Sequence, residues 1–438
     1  MRNRMSSFRI LFNFKDELAE GRCYNQINQI LSSIIANLTG GVFYARFLLL
    51  NGINIVNVGI MAFVPYIASF ISLLSPWILN HFKKRKAILA VFSVFYYVIN
   101  ILGITLLPKL VQDERSRLLW FIVIIFVSSV FSYIRGNGYG VWFINFLPEE
   151  KLRFDYFAIQ TNLNYLIGQS FTLLIAFLAD RVRDTPAEPA VINGIRYVAL
   201  LLAFVDVFIL CKPREYPYTK TMRKNRAADI AALFMRNKAY LRTMAVIFFC
   251  TFINSMPSGV LYYHLINHVG IPSSFTYLIN LLYCFYLYIF LPHWNGKIQK
   301  HGWFKTYIFS TWLLVPVHIM YACVTQQNYV WLFLLLRLIQ HYVGMGREIT
   351  FSNFPYINLP ENDRDYFITF QGLGTSLSTG LGTLMGTGIV SWIGSGSWMF
   401  LGHTFTAVPI LLLIEAAGTA FIAILVTKIR PILENKQS

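Results

Sequence analysis

Charge is scarce in this sequence. Of its 438 residues only 13% are Asp, Glu, Lys or Arg, and the 20 acids are outnumbered by 37 bases. A soluble domain usually carries about a quarter charged residues, so the composition argues against a soluble globular enzyme. Cysteine is sparse as well. Cys23, Cys211, Cys250, Cys284 and Cys323 lie far apart without paired spacing. They read as apolar fillers, not as disulfides or metal ligands, and no cofactor is expected. No Walker sequence occurs, so nucleotide hydrolysis is not the driving force. The opening segment MRNRMSSFRILFNFKDELAEGR has no long apolar core or small-residue cleavage site, which excludes a signal peptide.

Apolar residues are abundant. They make up 56% of the chain, with 38 Phe, 25 Tyr and 9 Trp, far more burial than a disordered chain has available. The net charge of +17 would suit a nucleic-acid binder if the bases formed stripes over a polar surface. Here they fall between long apolar runs, so the expected partner is the lipid bilayer and not nucleic acid.

A bilayer core about 30 Å thick needs roughly 20 apolar residues as helix. Twelve such stretches occur, near residues 28–50, 55–79, 87–107, 118–140, 156–179, 194–211, 242–266, 273–295, 305–325, 329–349, 366–393 and 404–427. They are called spans one to twelve below. With a cytoplasmic amino terminus the inside segments hold 27 Lys and Arg, the outside loops six, and the spans themselves Arg46, Arg135, Arg337 and Arg347. Positive residues collect inside, so both termini are expected in the cytoplasm of an integral plasma (inner) membrane protein. Phe8, Ile10, Leu11 and Phe14 could form an amphipathic surface helix or belong to a solvated tail.

The chain also repeats itself. GVFYARF at Gly41 to Phe47 returns as GVLYYHL at Gly259 to Leu265, an offset of 218. In the same order Pro76 answers to Pro292, Gly136 and Gly138 to Gly344 and Gly346, LPE at Leu147 to Leu359, and Asp206 to Glu415. The expected organisation is a cytoplasmic segment over 1–27, six-helix halves over 28–211 and 242–427, a basic linker over 212–241, and a tail over 428–438.

Twelve spans, a six-plus-six duplication, a long basic central loop and a basic turn after span two together resemble the major facilitator superfamily of secondary transporters. That family's loop motif, Gly-x-x-x-Asp-Arg-x-Gly-Arg-Arg, falls here on Pro76, Asn80, His81, Lys83, Lys84 and Arg85, of which the last two match. After span eight its counterpart falls on Asn295, Gln299, Lys300 and Gly302. The stretch Asn162 to Asp180 holds one glycine, Gly168, and no proline, unlike the family's common proton antiporters. The resemblance implies an all-α membrane protein, with twelve transmembrane helices in two pseudo-symmetric six-helix bundles around a central cavity. It also implies that spans one, four, seven and ten line that cavity.

On span ten, Arg337, His341, Gly344 and Glu348 share one helical face, with Gln340 beside it. At 1.5 Å per residue Arg337 and His341 lie roughly 12 and 18 Å from the outer end, close to the midplane. A charge at that depth is paired, turned inward or functional. Asn37, Arg135, Asn254, Arg337, Gln340 and His341 are therefore the candidate solute-binding residues. Arg135 fits gate pairing equally well, and the polar residues of spans one and seven could instead cross-link helices. Arg46 and His264 lie near outer ends, where snorkelling is the simpler reading. Asn80, Lys84, Arg85, Glu149, Arg153, Arg347, Glu348, Glu361 and Arg364 are gating candidates, Glu149 with Arg153 and Glu361 with Arg364 also being readable as ordinary solvated loop pairs. Asp206 and Glu415 are candidates for carrying a coupling proton, against a structural ion pair. The glycines of span eleven, Gly372 to Gly388, read as close helix packing.

The function these features imply is secondary transport of a small solute by alternating access, by a monomer that is not an enzyme. Proton or sodium coupling, facilitated diffusion and exchange stay open. The buried arginines favour an anionic or polyhydroxylated solute. An integral membrane enzyme or a non-transporting receptor is the alternative, and the inner-loop His81, His293 and His301 form no catalytic constellation for the former.

Overall fold

The structure is a computed structural model and describes residues 10–79, 81–82, 84–216, 235, 237–356, 358–359, 364–400 and 403–434. It is overwhelmingly helical. In chain order come α1 (Glu17–Thr39), α2 (Gly41–Leu50), α3 (Ile55–Ala68), α4 (Ser75–Leu79), α5 (Lys86–Tyr97), α6 (Ile104–Leu110), α7 (Glu114–Phe143), α8 (Glu150–Arg181) and α9 (Glu188–Leu210). There follow α10 (Lys238–Ser255), α11 (Leu261–Tyr263), α12 (Ser273–His301), α13 (Trp303–Tyr321), α14 (Tyr329–Phe351), α15 (Arg364–Ile393), strands β1 (Trp398–Phe400) and β2 (His403–Phe405), and α16 (Ala407–Glu434).

Local chemistry sets the ends of these helices. The Asp16 carboxylate accepts from the Ala19 N–H at 3.0 Å and Glu17 and Glu20 fill the first turn, so α1 starts at Glu17, well before residue 28 where the apolar run begins. The helix breaks at Gly40, which is extended, and restarts from Gly41 at φ +49, a conformation a side chain rarely adopts. Asp113 caps α7 in the same way as Asp16 caps α1, accepting from Ser116 N at 2.8 Å. Span seven is not one helix: α10 stops at Ser255 ahead of Pro257, and a π-turn over His264–His268 follows α11. The all-α expectation needs one correction. After Gly394 and Gly396 the chain forms an antiparallel hairpin, Trp398 opposite Phe405, and α16 begins only at Ala407, past the expected start of span twelve.

Seven helices among the described residues are long and apolar enough to cross a bilayer: Glu17–Leu50, Lys86–Leu110, Glu114–Phe146, Ile159–Arg181, Glu188–Leu210, Ser273–His301 and Ala407–Pro431. Their outward faces are oily. Leu174 on α8 and Leu201 and Phe208 on α9 are each 60% exposed or more. Polar groups meanwhile turn inward, the reverse of a water-soluble bundle, as expected of an integral membrane protein.

The chain forms two compact units. One comprises Met1–Asn54, Ile67–Thr221 and Pro272–Cys284, the other Ile55–Tyr66, Met222–Ile271 and Phe285–Ser438. In the first, α1 packs on α8 and α9, and α5 on α7, with Leu79, Leu89, Ile134, Trp142, Phe146 and Leu210 forming a buried cluster. In the second, α13 packs on α14 and α16, and α10 on α15, around Cys250, Tyr307, Phe367, Leu411 and Val426.

Glycines permit two of these approaches. On α15 a Cβ at Gly382 or Gly386 would collide with the carbonyl oxygens of Phe252 or Met256, whereas Gly388 has open space. The repeat pairs behave alike: Gly138 is closed over by Leu89 and Leu79, Gly346 by Trp294, while Gly136 and Gly344 both face open space.

Candidate functional site

The interior of the first unit is built along α1. Arg22, Asn25, Asn28 and Ser32 recur three or four residues apart and so share one face of the helix, with Gln26 four residues after Arg22 at its edge. Arg22 donates to the carbonyls of Leu11 (2.8 Å) and Phe146 (3.2 Å), which buries Leu11 while Ile10 and Phe14 stay exposed. Phe8 lies outside the described residues. Asn25 donates to the Tyr156 hydroxyl at 2.9 Å and accepts from that of Tyr139, and Gln26 donates to Asn164 at 3.0 Å.

Asp206 sits at the centre of this face, fully buried on α9. It accepts from Asn28 Nδ2 at 2.7 Å, from the Tyr97 hydroxyl at 2.7 Å and from Ser32 Oγ at 3.4 Å. Arg135 donates to the same Tyr97 oxygen at 3.1 Å, and its guanidinium lies over the rings of Tyr96 and Tyr97, 5.1 and 5.2 Å from their centroids. Three donors and a nearby cation supply what a buried carboxylate loses on leaving water.

Two further arginines of this unit depart from the sequence reading. Arg46 does not snorkel: it is 8% exposed and ion-paired with Glu188, donating from Nη2 to Oε2 at 2.8 Å, and with Asp184. Arg196, counted with the outside loops from sequence, lies within α9 and is 2% exposed. It donates to Thr105 Oγ1 at 2.7 Å and to the Thr39 carbonyl at 3.4 Å, and stacks on Phe47 with a centroid distance of 4.7 Å. Among the described residues no carboxylate pairs with it, and its Nη2 has no partner. Asn37 bridges helices, donating to Thr172 Oγ1 at 3.4 Å, while its carbonyl accepts from the Tyr277 hydroxyl at 3.1 Å.

In the second unit Arg337 donates to Gln340 Oε1 at 2.8 Å and also hydrogen-bonds Tyr321. His341 is buried edge-on against Tyr286, with ring centroids 6.0 Å apart. Arg347 donates to Asn254 Oδ1 at 3.1 Å and to the exposed Glu348 at 3.4 Å. Glu415 is buried, yet among the described residues its carboxyl makes no hydrogen bond or ion pair, and Arg347 acts on it through the field alone. Its repeat-mate Asp206 has every partner that Glu415 lacks.

A cavity of about 480 Å³ opens at another end of this unit. His264, His268, Thr325, Gln326, Ser391, Ser395 and Thr406 supply polar groups to its lining, and the two imidazoles stack with centroids 5.7 Å apart. Its volume is in the range usual for small-molecule pockets, roughly 300–1,000 Å³.

Of the gating candidates, Lys84 and Glu149 are exposed and Arg85 is buried. Asn80 and Glu361 lie outside the described residues, as do the side chains of Arg153 and Arg364. Sequence reasoning missed Tyr97, Asn25, Asn28, Ser32 and Arg196. The signal for the α1 residues was their helical spacing across the start of an apolar run; Tyr97, one of 25 tyrosines, carried none.

No sequence-family model matches this chain, and no curated protein matches it by sequence. Solved structures do match by fold. A bacterial homologue of the iron transporter ferroportin in an inward-facing state superposes with TM-score 0.67 and 12% identity over 94% of this chain and 99% of the other. A D-xylose-proton symporter gives TM-score 0.66 and 13% identity over 92% and 96%. The nucleoside transporter NupG gives 0.63 and 12% over 93% and 98%. The chain thus shares its overall fold with these solved transporters.

Proposed function

We propose that the chain is a secondary transporter that moves a small solute across the membrane by alternating access. The observation that carries this reading is a transporter-type fold whose apolar helices enclose costly polar groups, Arg135 with Asp206 in one unit and Arg337 with Gln340 in the other. A charge at such depth is costly, and is paired, turned inward or functional. The similar structures include a nucleoside transporter and a D-xylose-proton symporter, which makes uncharged polyhydroxylated solutes the first class to test, with anions second.

On this reading twelve transmembrane helices form two six-helix bundles, residues 28–211 and 242–427, joined by the basic linker 212–241. Segments 1–27 and 428–438 and both termini are cytoplasmic, the membrane is the plasma (inner) membrane, and the working unit is a monomer without enzymatic activity. Asn37, Arg135, Asn254, Arg337, Gln340 and His341 line the solute path. Asn80, Lys84, Arg85, Glu149, Arg153, Arg347, Glu348, Glu361 and Arg364 act at its inner gate.

Asp206 and Glu415 divide their work. Asp206 is held by three donors and a nearby arginine and serves as a fixed structural anion. Glu415, buried without a hydrogen bond, is the better candidate to take up and release a coupling proton. The direct test is uptake by purified protein in liposomes of a panel of nucleosides, pentoses, hexoses and organic anions. Arg337→Ala should cut uptake of the accepted solute sharply, and unchanged uptake would remove Arg337 from the path.

A further inference from the structure

A second cavity, of about 390 Å³, lies where α12 turns into α13 and is lined by Lys297, His301, Lys305, Thr306 and Phe309. Gly302, at φ +79, makes the turn. Lys297 and His301 stand four residues apart on the last turn of α12, and Lys305 and Phe309 four apart on α13, so both helices aim a basic group and its neighbour at one space. The Lys297 ammonium rests over the rings of Trp294 and Phe309, 4.8 and 4.7 Å from their centroids, and is held in place without being neutralised. The amino-terminal end of α13, whose cap residue Gly302 has no side chain to satisfy it, adds partial positive charge.

No acid on these two helices answers this charge. No Asp or Glu occurs between Asp229 and Glu348, so α12 and α13 hold no acid at all. Among the described residues Lys297, His301 and Lys305 make no ion pair. The basic loop of the first unit differs: there a carboxylate, Glu215, lies close by and accepts from the backbone N–H of Lys86 at 2.8 Å.

The chemistry of the surrounding surface selects the anion. From Lys305 one face of α13 continues through Phe309, Trp312 and Leu313 to Ile319 and Met320, each apolar member 38% exposed or more. The sixteen residues from Lys305 to Met320 make that stripe about 22 Å long, more than the depth of one leaflet, roughly half of a 30 Å core. A basic cup at one end of an oily stripe matches a phosphate headgroup with its acyl chains, whereas a soluble anion would have no use for the stripe.

We infer that this cavity is a binding site for an anionic phospholipid, with the headgroup phosphate between Lys297, His301 and Lys305 and the acyl chains along Phe309, Trp312 and Leu313. The test uses the intact chain in neutral detergent. Thermal unfolding is followed with added phosphatidylglycerol, phosphatidylcholine or inorganic phosphate, for wild type, Lys305→Gln, Lys305→Arg, and Lys300→Gln, which lies next to the cavity without lining it. Phosphatidylglycerol should raise the midpoint of wild type, Lys305→Arg and Lys300→Gln, and bind Lys305→Gln about fivefold more weakly. The other two additives should do nothing. Equal stabilisation by phosphatidylcholine, an undiminished effect on Lys305→Gln, or full reproduction by inorganic phosphate would each overturn the assignment. Lys305 is exposed, so its substitution leaves folding intact, and lipid retained in native mass spectra gives a second readout that does not depend on unfolding.

Discussion

Arg135 and Asp206 meet through a single phenolic oxygen: Arg135 donates to the Tyr97 hydroxyl at 3.1 Å, and that hydroxyl donates to Asp206 at 2.7 Å. An uninterrupted chain of donors therefore links α7, α5 and α9 inside the first unit. Removing the middle member should be felt at both ends. Tyr97→Phe is expected to lower stability by about 1.5–3 kcal/mol, the range for hydrogen bonds to charged groups, whereas Ser32→Ala, which deletes only long contacts of 3.4 Å to Asp206 and 3.5 Å to Tyr97, should cost well under that. Thermal unfolding in detergent reads both, and a neutral Tyr97→Phe would mean that water or another donor replaces the phenol.

The partners of Arg46 separate a buried ion pair from an exposed one. The Glu188 side chain is 4% exposed and that of Asp184 is 75% exposed. Glu188→Ala leaves the buried guanidinium with only the exposed carboxylate of Asp184 and should destabilise by about 3–5 kcal/mol. Asp184→Ala should cost no more than about 1 kcal/mol. Unfolding midpoints of the two variants should differ accordingly, and similar midpoints would show that Arg46 finds water when Glu188 is gone.

Two neighbouring glycines on α15 should respond unequally to the same methyl group. Gly386→Ala drives a Cβ into the Met256 carbonyl oxygen, which as backbone cannot swing aside, at a cost of about 1–3 kcal/mol. Gly388→Ala meets open space and should stay within about 0.5 kcal/mol of wild type. Comparing the yield of monodisperse protein and the unfolding midpoint tests the difference, which vanishes if α10 and α15 can separate freely.

Glu415 and Asp206 should part company in transport. Glu415→Gln keeps shape and volume and removes a titratable proton from a carboxyl that makes no hydrogen bond, so the variant should fold normally. It should lose gradient-driven accumulation while retaining solute exchange. Asp206→Asn should instead lower stability, because the Tyr97 and Asn28 donors lose their charged acceptor. Intact accumulation by Glu415→Gln would take the coupling role away from that residue.

Much of the fold was legible because its signals are local and strong. Long apolar runs are read over about twenty residues each, the repeat is carried by short matching segments, and Gly138 and Gly346, paired by that repeat, behave alike. The hairpin at Trp398–Phe405 was hidden, since its strands are only three residues long and Thr404 and Phe405 read as the start of span twelve. The site was less legible. Arg337 with Gln340 lie three residues apart on one helix and could be paired by spacing alone. Tyr97, Asp206 and Arg135 come from three helices, and sequence spacing carries no information about which faces meet. Arg196 was misplaced because a cation near a helix start looks like a loop charge until its burial is seen.

The central claim is that this chain transports a solute along a path that includes Arg337. The most direct measurement is accumulation of each panel solute by sealed liposomes containing the purified chain, with and without an imposed proton gradient, beside liposomes containing Arg337→Ala. Saturable accumulation of one solute class by wild type, sharply reduced in a variant that unfolds at the same temperature, is the expected result. Wild-type liposomes that accumulate nothing beyond protein-free ones, or an Arg337→Ala variant that transports as well as wild type, would contradict it.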